Sequence, residues 1–338
     1  MTQMEANLRA VVLGDSIMWG QGLFDCQKIH TLVANGLAEY GLVVQSNLQA
    51  HSGAIIGEPD VCVHQPPIDG EVPVSYPTIF EQLEAALDGK AHDESVNLVM
   101  ISGGVNDVDI TRILNPRIRN LEQLIEDAFY RKMKLLIERA YHSFPNAIIV
   151  ITGYYKAFSE DSERSSFLNV LKGIGFALPL LPYSVGDLVM DMLGPRLTQA
   201  LIERCNHFYN SSHECIREAI IDFVGMHPEA RNQIYFADPN FKAEHAIGAS
   251  EALLYGVNAD YSPQDPPEIA ERRAKACVLH RDRLDAVSYV SGPRASVGHP
   301  NPAGAQQYAH VILANIHYAM PTLFATEYAE TVKTNDMF

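Results

Sequence analysis

The sequence predicts a three-layer α/β/α sandwich built around a parallel sheet of five strands. Five short apolar runs, rich in β-branched residues, recur at intervals that leave room for helices between them. The runs are nearly continuous rather than alternating, which indicates strands covered on both faces. They lie at Leu8–Leu13, Leu42–Leu48, Val96–Ile101, Ala147–Thr152 and Gln233–Ala237.

The intervals between the strands carry helical periodicity. Residues 30–40, 78–87 and 121–144 repeat apolar side chains at helical spacing. A closing helix is predicted from Pro302 to Met320, because Asn301 can cap its N-terminus and proline suits the first turn. This alternation of strand and helix favours parallel pairing of the strands.

The interval between the fourth and fifth strands is longer than one crossover helix needs. Residues 159–172 and 196–224 are predicted to be helical, and Pro179 and Pro182 interrupt the apolar stretch between them. We interpret residues 156–232 as a helical insertion over one end of the sheet, within a single domain of residues 1–338. The insertion is either a peripheral subdomain with its own small core or a lid over a binding site.

The charge of the chain argues against some partners. The chain has 25 Lys and Arg against 41 Asp and Glu, a formal net charge of −16, which repels phosphate backbones and anionic lipid headgroups. The most apolar stretch, Ile174–Gly186, is shorter than the roughly 20 residues that a membrane-spanning helix needs. We therefore expect no nucleic-acid partner and no stable membrane insertion.

The cysteines indicate a reducing compartment. They are five in number and scattered along the chain without CxxC spacing (Cys26, Cys62, Cys205, Cys215 and Cys277). This pattern fits reduced thiols better than a disulfide framework. The N-terminal residues also lack the basic segment, apolar segment and cleavage site of a secretory leader. We expect a cytoplasmic protein, with leaderless export left open.

Polar residues with catalytic potential follow the first and third predicted strands. Gly14–Ser16, which reads GDS, comes directly after the first strand, where α/β sheets place their ligands. The Ser16 hydroxyl is a candidate nucleophile, and its backbone N–H could face a developing oxyanion. Asn106, within Gly103–Asp107 after the third strand, offers a neutral amide donor at the same edge. Taken alone, each segment is more simply a turn with a capping side chain.

Two further segments belong to the same argument. Gly53 follows the second strand within His51–Ala54, and a glycine lets a backbone N–H approach a ligand closely. His299 precedes the last helix within Gly298–Asn301, where its imidazole could reach a serine and act as its base. By themselves these are a turn glycine and a loop histidine.

The four segments in this order resemble the motifs of the SGNH, or GDSL, hydrolase family. The resemblance implies that Ser16 is the nucleophile, that His299 is its base, and that Ser16, Gly53 and Asn106 form an oxyanion hole. It also implies the SGNH hydrolase fold with a flavodoxin-like sheet. The implied activity is that of an esterase or lipase that works through an acyl-enzyme intermediate. No cofactor is implied.

One position departs from the family's Asp-x-x-His pattern. Ser296 stands three residues before His299, and no carboxylate occurs between Asp285 and His299. We therefore predict a Ser16–His299 dyad whose ring N–H meets an uncharged acceptor, either a main-chain carbonyl or the Ser296 hydroxyl. Asp282, Asp285 or a more distant acid are the alternatives.

The substrate is expected to be a small-molecule or lipid ester. The apolar side chains of the insertion favour an acyl chain (Leu178, Leu180, Leu181, Val185, Leu188 and Met192). An acyltransferase or a carbohydrate O-acetyl esterase would use the same residues, and a degenerate binding module would keep the fold alone. The natural ester and the oligomeric state stay open.

A metal site is not expected. Cys205, His207, His213 and Cys215 have the composition of a ligand quartet. On one helix, however, they would point in four different directions.

Overall fold

The five predicted strands form one parallel sheet. The computed structural model describes residues 6–173 and 183–321. The strands are β1 (Ala6–Leu13), β2 (Leu42–Leu48), β3 (Leu98–Ile101), β4 (Ile148–Thr152) and β5 (Ile234–Ala237). Their order across the sheet is β2-β1-β3-β4-β5, and every pair is parallel. The predicted α/β class and parallel sheet are confirmed.

Helices occupy both faces of the sheet. The short helices that follow strands are α1 (Ser16–Trp19), α4 (Val105–Val108) and α5 (Ile110–Ile113). The longer ones are α2 (Ile29–Ala38), α3 (Ile79–Leu87), α6 (Leu121–Glu126), α7 (Met133–Ser143), α8 (Arg164–Gly173), α9 (Tyr183–Met226), α10 (Pro267–Leu279), α11 (Ala286–Ser291) and α12 (Pro302–Ala319). A π-helical segment, Asp127–Lys132, joins α6 to α7.

The layers follow from how the strands are buried. Every residue of β3 and β4 is buried, so these central strands are covered on both sides. One layer contains α2 and α12, and the other contains α3, α6, α7 and α9. Leu13 at the end of β1 pairs with Ile101 at the end of β3. The turns after these two strands therefore lie side by side at the carboxyl edge of the sheet.

The predicted insertion includes a helix of the main core. Helix α9 begins directly after Pro182, earlier than the predicted start at residue 196, and ends close to the predicted position. Its second half buries Phe208 and Phe223 in the main apolar core. Phe208 packs edge-on against Phe129 at 5.6 Å between ring centroids. This half of α9 is therefore the crossover helix between β4 and β5.

The residues proposed to line an acyl lid cannot be located in the fold. Leu178, Leu180 and Leu181 lie outside the described residues. The same holds for the side chains of Val185, Leu188 and Met192. Among the helices that the structure describes, none is long and apolar enough to cross a membrane.

Two substitutions on α9 test whether its second half is core. Phe223 is fully buried, whereas Ile221, two residues away, is 67% exposed. We expect Phe223→Ala to lower the free energy of unfolding by about 3–5 kcal/mol, because a buried ring is lost and a cavity remains. Ile221→Ala should change it by no more than about 0.5 kcal/mol. Urea unfolding of both variants measures the difference, and equal small effects would show that this half is a detachable element.

Candidate active site

Ser16 is the first residue of α1, immediately beyond the end of β1. Asp15 caps this helix, and its carboxylate accepts a hydrogen bond from the Ile17 N–H at 2.9 Å. Gly14 has φ +143°, and a Cβ there would lie 2.5 Å from the Ser102 carbonyl oxygen. Only glycine fits this approach. The GDS sequence thus forms a turn that presents the serine at the edge of the sheet.

The turn beneath Ser16 is fixed by side chains from other elements. The Gln82 amide accepts from the Gly14 N–H at 2.7 Å and donates to the Gly14 carbonyl at 2.9 Å. Ser102 donates to the Asp15 carboxylate at 2.7 Å, and the Tyr154 hydroxyl donates to its other oxygen. Burial raises the pKa of Asp15 above its ordinary value, and these hydrogen bonds offset part of that rise. The sequence contains no pattern that would have identified Gln82, Ser102 or Tyr154.

The structure brings Ser16 and His299 together. Nε2 of His299 lies 2.7 Å from Oγ of Ser16. The loop before α12 that carries the histidine is held on both sides. The Tyr255 N–H donates to the His299 carbonyl and the Gly298 N–H donates to the Tyr255 carbonyl, each at 2.8 Å. The Tyr155 hydroxyl donates to the Gly298 carbonyl at 2.8 Å. These backbone bonds place the imidazole beside Ser16.

Gly53 and Asn106 lie on two loops that are joined by a hydrogen bond. The Asn106 amide donates to the Ala54 carbonyl at 2.9 Å, which leaves its second hydrogen available to a ligand. Gly53 has φ +81°, and a Cβ there would lie 2.6 Å from the Val74 backbone nitrogen. The neighbouring Asp107 accepts from the Ile56 N–H at 2.8 Å and pairs with Lys132. The two candidate oxyanion residues are thus held against each other's loops.

No carboxylate among the described residues bonds to the ring of His299. Nδ1 is buried without a hydrogen-bond partner. Asp285 caps α11, where its carboxylate accepts from the Ser288 N–H at 2.8 Å. Asp282 lies exposed in the preceding turn. At the position of the family's aspartate, the buried Ser296 hydroxyl accepts from the Arg273 guanidinium at 3.2 Å.

The environment of His299 favours the neutral imidazole. Burial is the larger cause and the charge of Arg273 the next, and together they lower the pKa of His299 to about 4. The backbone carbonyls of Ala295, Ser296 and Val297 raise this pKa and so offset part of the decrease. A neutral imidazole at 2.7 Å from a hydroxyl can accept its proton. The pair can therefore generate a serine nucleophile at neutral pH.

The described residues offer no evident metal site. Within them, no three His, Cys, Asp or Glu side chains are grouped so that they could hold a metal ion. In the quartet considered above, Cys205, His213 and Cys215 are buried and His207 is exposed.

Comparison with known proteins gives similarities of structure only. No family model and no curated protein sequence matches the chain. An extracellular lipase from Streptomyces rimosus is 14% identical, with 91% of this chain and 98% of that chain covered and a TM-score of 0.49. Phospholipase A1 from Streptomyces albidoflavus NA297 is 14% identical, with 92% and 99% covered and a TM-score of 0.48. A family two carbohydrate esterase from Clostridium thermocellum is 12% identical, with 95% and 67% covered and a TM-score of 0.44.

The fold and the site together define one arrangement. A parallel α/β sheet presents a serine after β1, beside a histidine from the loop before the last helix. A hydroxyl within hydrogen-bond distance of an imidazole is the pairing that nucleophilic catalysis by serine requires.

The pKa of His299 leads to a prediction about pH. A fluorophosphonate reacts with Ser16 only when His299 is unprotonated. The pKa of His299 is lowered to about 4. The labelling rate should therefore stay constant as the pH falls from neutral, and decline to half its maximum only when the pH approaches that value. Circular dichroism at each pH confirms that the chain is folded. A half-maximal rate near pH ~6.5, the ordinary histidine value, would contradict the prediction.

Proposed function

We propose that the chain is a serine ester hydrolase with a Ser16–His299 dyad. The observation that carries the proposal is the 2.7 Å contact between Oγ of Ser16 and Nε2 of His299. Oγ attacks the ester carbonyl while Nε2 takes its proton. The protonated imidazole then gives this proton to the leaving alcohol, and an acyl-enzyme remains. Water, activated by the same nitrogen, attacks the acyl-enzyme and releases the carboxylic acid.

The oxyanion of the tetrahedral intermediate needs fixed donors. We assign this role to the backbone N–H groups of Ser16 and Gly53 and to the second amide hydrogen of Asn106. Support comes from the hydrogen bond between Asn106 and the Ala54 carbonyl, which fixes the amide at 2.9 Å from the loop of Gly53. Such donors stabilise charge without reorganising during the reaction.

The ring N–H of His299 must meet an acceptor if Nε2 is to be the base. The backbone carbonyls of Ala295, Ser296 and Val297 raise the pKa of His299, and no side chain among the described residues is bonded to its Nδ1. We propose that one of these carbonyls sets the tautomer in place of a carboxylate. The Ser296 hydroxyl is a weaker candidate, since its oxygen already accepts from Arg273.

We propose that the substrate is a lipid-like ester that carries an acyl chain longer than acetate. Support comes from the apolar stretch of the sequence, Ile174–Gly186, which contains Leu178, Leu180 and Leu181. A carbohydrate O-acetyl esterase would show a preference for acetate instead, and an acyltransferase would form a new ester when an acceptor alcohol is added. Cytoplasmic location remains our expectation from the unpaired cysteines.

Ser16→Ala is expected to abolish both ester turnover and fluorophosphonate labelling, because no other activated hydroxyl would remain. The measurement is a panel of p-nitrophenyl esters from acetate to long chains, with peptide mapping of the adduct in the parent protein. An adduct on another serine would contradict the assignment of Ser16. No adduct and no turnover would favour a binding module with the same fold.

Gly53→Ala is expected to lower kcat by about 10²–10³, the usual loss for one oxyanion donor. The added Cβ would lie 2.6 Å from the Val74 nitrogen and displace the loop. Gly41→Ala is the matched control, since Gly41 has a similar φ of +76° but no atom within 4 Å of an added Cβ. Both variants should lose about 1–2 kcal/mol of stability from the left-handed backbone, and Gly53→Ala should lose more because of its close approach to Val74. If both retain kcat, Gly53 has no part in the oxyanion hole.

A further inference from the structure

A buried ionic cluster lies behind the catalytic pair. The side chains of Arg273, Glu71 and Asp265 are all 0% exposed. Nη1 of Arg273 lies 2.9 Å from Oδ2 of Asp265 and 3.0 Å from Oε2 of Glu71. Removing three charges from water is unfavourable, and such a cluster is weak evidence of stability alone. A role other than stability therefore has to be considered for the cluster.

The cluster holds the loop that carries His299. Nη2 of Arg273 donates to the Ser296 hydroxyl at 3.2 Å. Nε and Nη2 both donate to the Pro293 carbonyl at 3.2 Å. The His299 N–H in turn donates to the Ser296 carbonyl at 2.9 Å. One guanidinium thus fixes two points of the loop, Pro293 and Ser296, and Ser296 is bonded directly to the backbone of His299.

The same cluster holds the turn that follows Ser16. Oε1 of Glu71 accepts from the Trp19 indole at 3.1 Å and from the Gly22 N–H at 3.3 Å. Oε2 accepts from the Gln21 amide at 2.9 Å. A Cβ on Gly22 would lie 2.8 Å from Cβ of Ser296. The turn of the nucleophile and the loop of the base are therefore in contact, with the ionic cluster bonded to both.

We propose that Arg273, held by Glu71 and Asp265, is a positioning residue that fixes the His299 loop against the Ser16 turn. The inference rests on the proposed function. Arg273 is assigned no contact with the substrate. The effect of Arg273 on the reaction passes through Ser296 and Pro293 to His299.

Arg273 also sets the charge that His299 experiences. Several charged and titratable groups are packed around the histidine loop, and Arg294 lies within it. The others include Arg273 and Cys277 from α10, Asp265 before it, Glu71 after β2, Tyr155 after β4 and Tyr255. Among these, Arg273 is the charge that lowers the pKa of His299. The positioning effect and the charge effect of Arg273 can be measured separately, because lysine at this position would keep the charge but not the planar set of donors.

The test uses the rate of Ser16 labelling by a fluorophosphonate, normalised to folded protein. Arg273→Lys should lower this rate about 10- to 100-fold, since a small displacement of the base is enough. Ser296→Ala, which removes one hydrogen bond, should lower it about 3- to 10-fold. Neither variant should move the pH of half-maximal labelling. Arg273→Gln should lower the rate and move this pH upward by about one unit, because the cation is lost.

Matched controls separate positioning from general damage. Arg204 donates to the carbonyls of Arg112, Ile113 and Ile118, none of which belongs to the His299 loop or the Ser16 turn. Ser212 is fully buried and donates to the Tyr209 carbonyl. Arg204→Lys and Ser212→Ala should leave the labelling rate within about twofold, since neither group reaches His299.

The outcomes distinguish this inference from the proposed function. No adduct on Ser16 in the parent protein would overturn the proposed function itself. An adduct whose rate in Arg273→Lys and Ser296→Ala matches the controls would overturn only the role of Arg273. If Arg273→Gln does not fold, the other two variants still decide the point. A lower thermal midpoint with an unchanged rate per folded molecule would mean that the cluster is merely structural.

Discussion

The contact between Ser16 and His299 is the constraint on which the rest of the site depends. The two residues are 283 positions apart in the chain, yet their side chains meet at 2.7 Å. The parallel sheet places Ser16, because the turn after β1 lies at its carboxyl edge. The loop before α12 places His299. Its backbone bonds to Tyr255 and Tyr155 hold the histidine over the serine.

The sequence predicted the framework well where structure is determined locally. The strands were found because buried parallel strands are apolar throughout, and the start of α12 was found because Asn301 caps it with bonds to Ala303 and Gly304. The start of α9 was predicted too late. Pro179 and Pro182 are interpreted in the sequence as interruptions, whereas Pro182 directly precedes the first helical residue. Pro195, just before the predicted start, lies inside the helix and does not end it.

The site was predictable only in the residues that follow strands or precede helices. Ser16, Asn106 and Gly53 each occur just after a predicted strand, so their neighbourhood could be inferred from the topology of the sheet. The groups that hold them could not. Glu71 and Arg273 are 202 positions apart in the chain, and neither belongs to a motif. Contacts of this kind depend on how loops fold over the sheet edge, which no local periodicity encodes.

The mechanism proposed above works without the aspartate that the family resemblance implies. A carboxylate beside the ring would stabilise the imidazolium that forms in the proposed attack of Ser16. Here burial, and after it the cation of Arg273, disfavour imidazolium and lower the pKa of His299 to about 4. A base with a lower pKa is weaker but stays unprotonated over a wider pH range. In the proposed mechanism the barrier is then lowered mainly at the other developing charge, the oxyanion, where the donors that we assign to Gly53 and Asn106 need no change of protonation. Such a site depends on the placement of its donors more than on the strength of its base, and the hydrogen bond from Asn106 to the Ala54 carbonyl holds the two donor loops together.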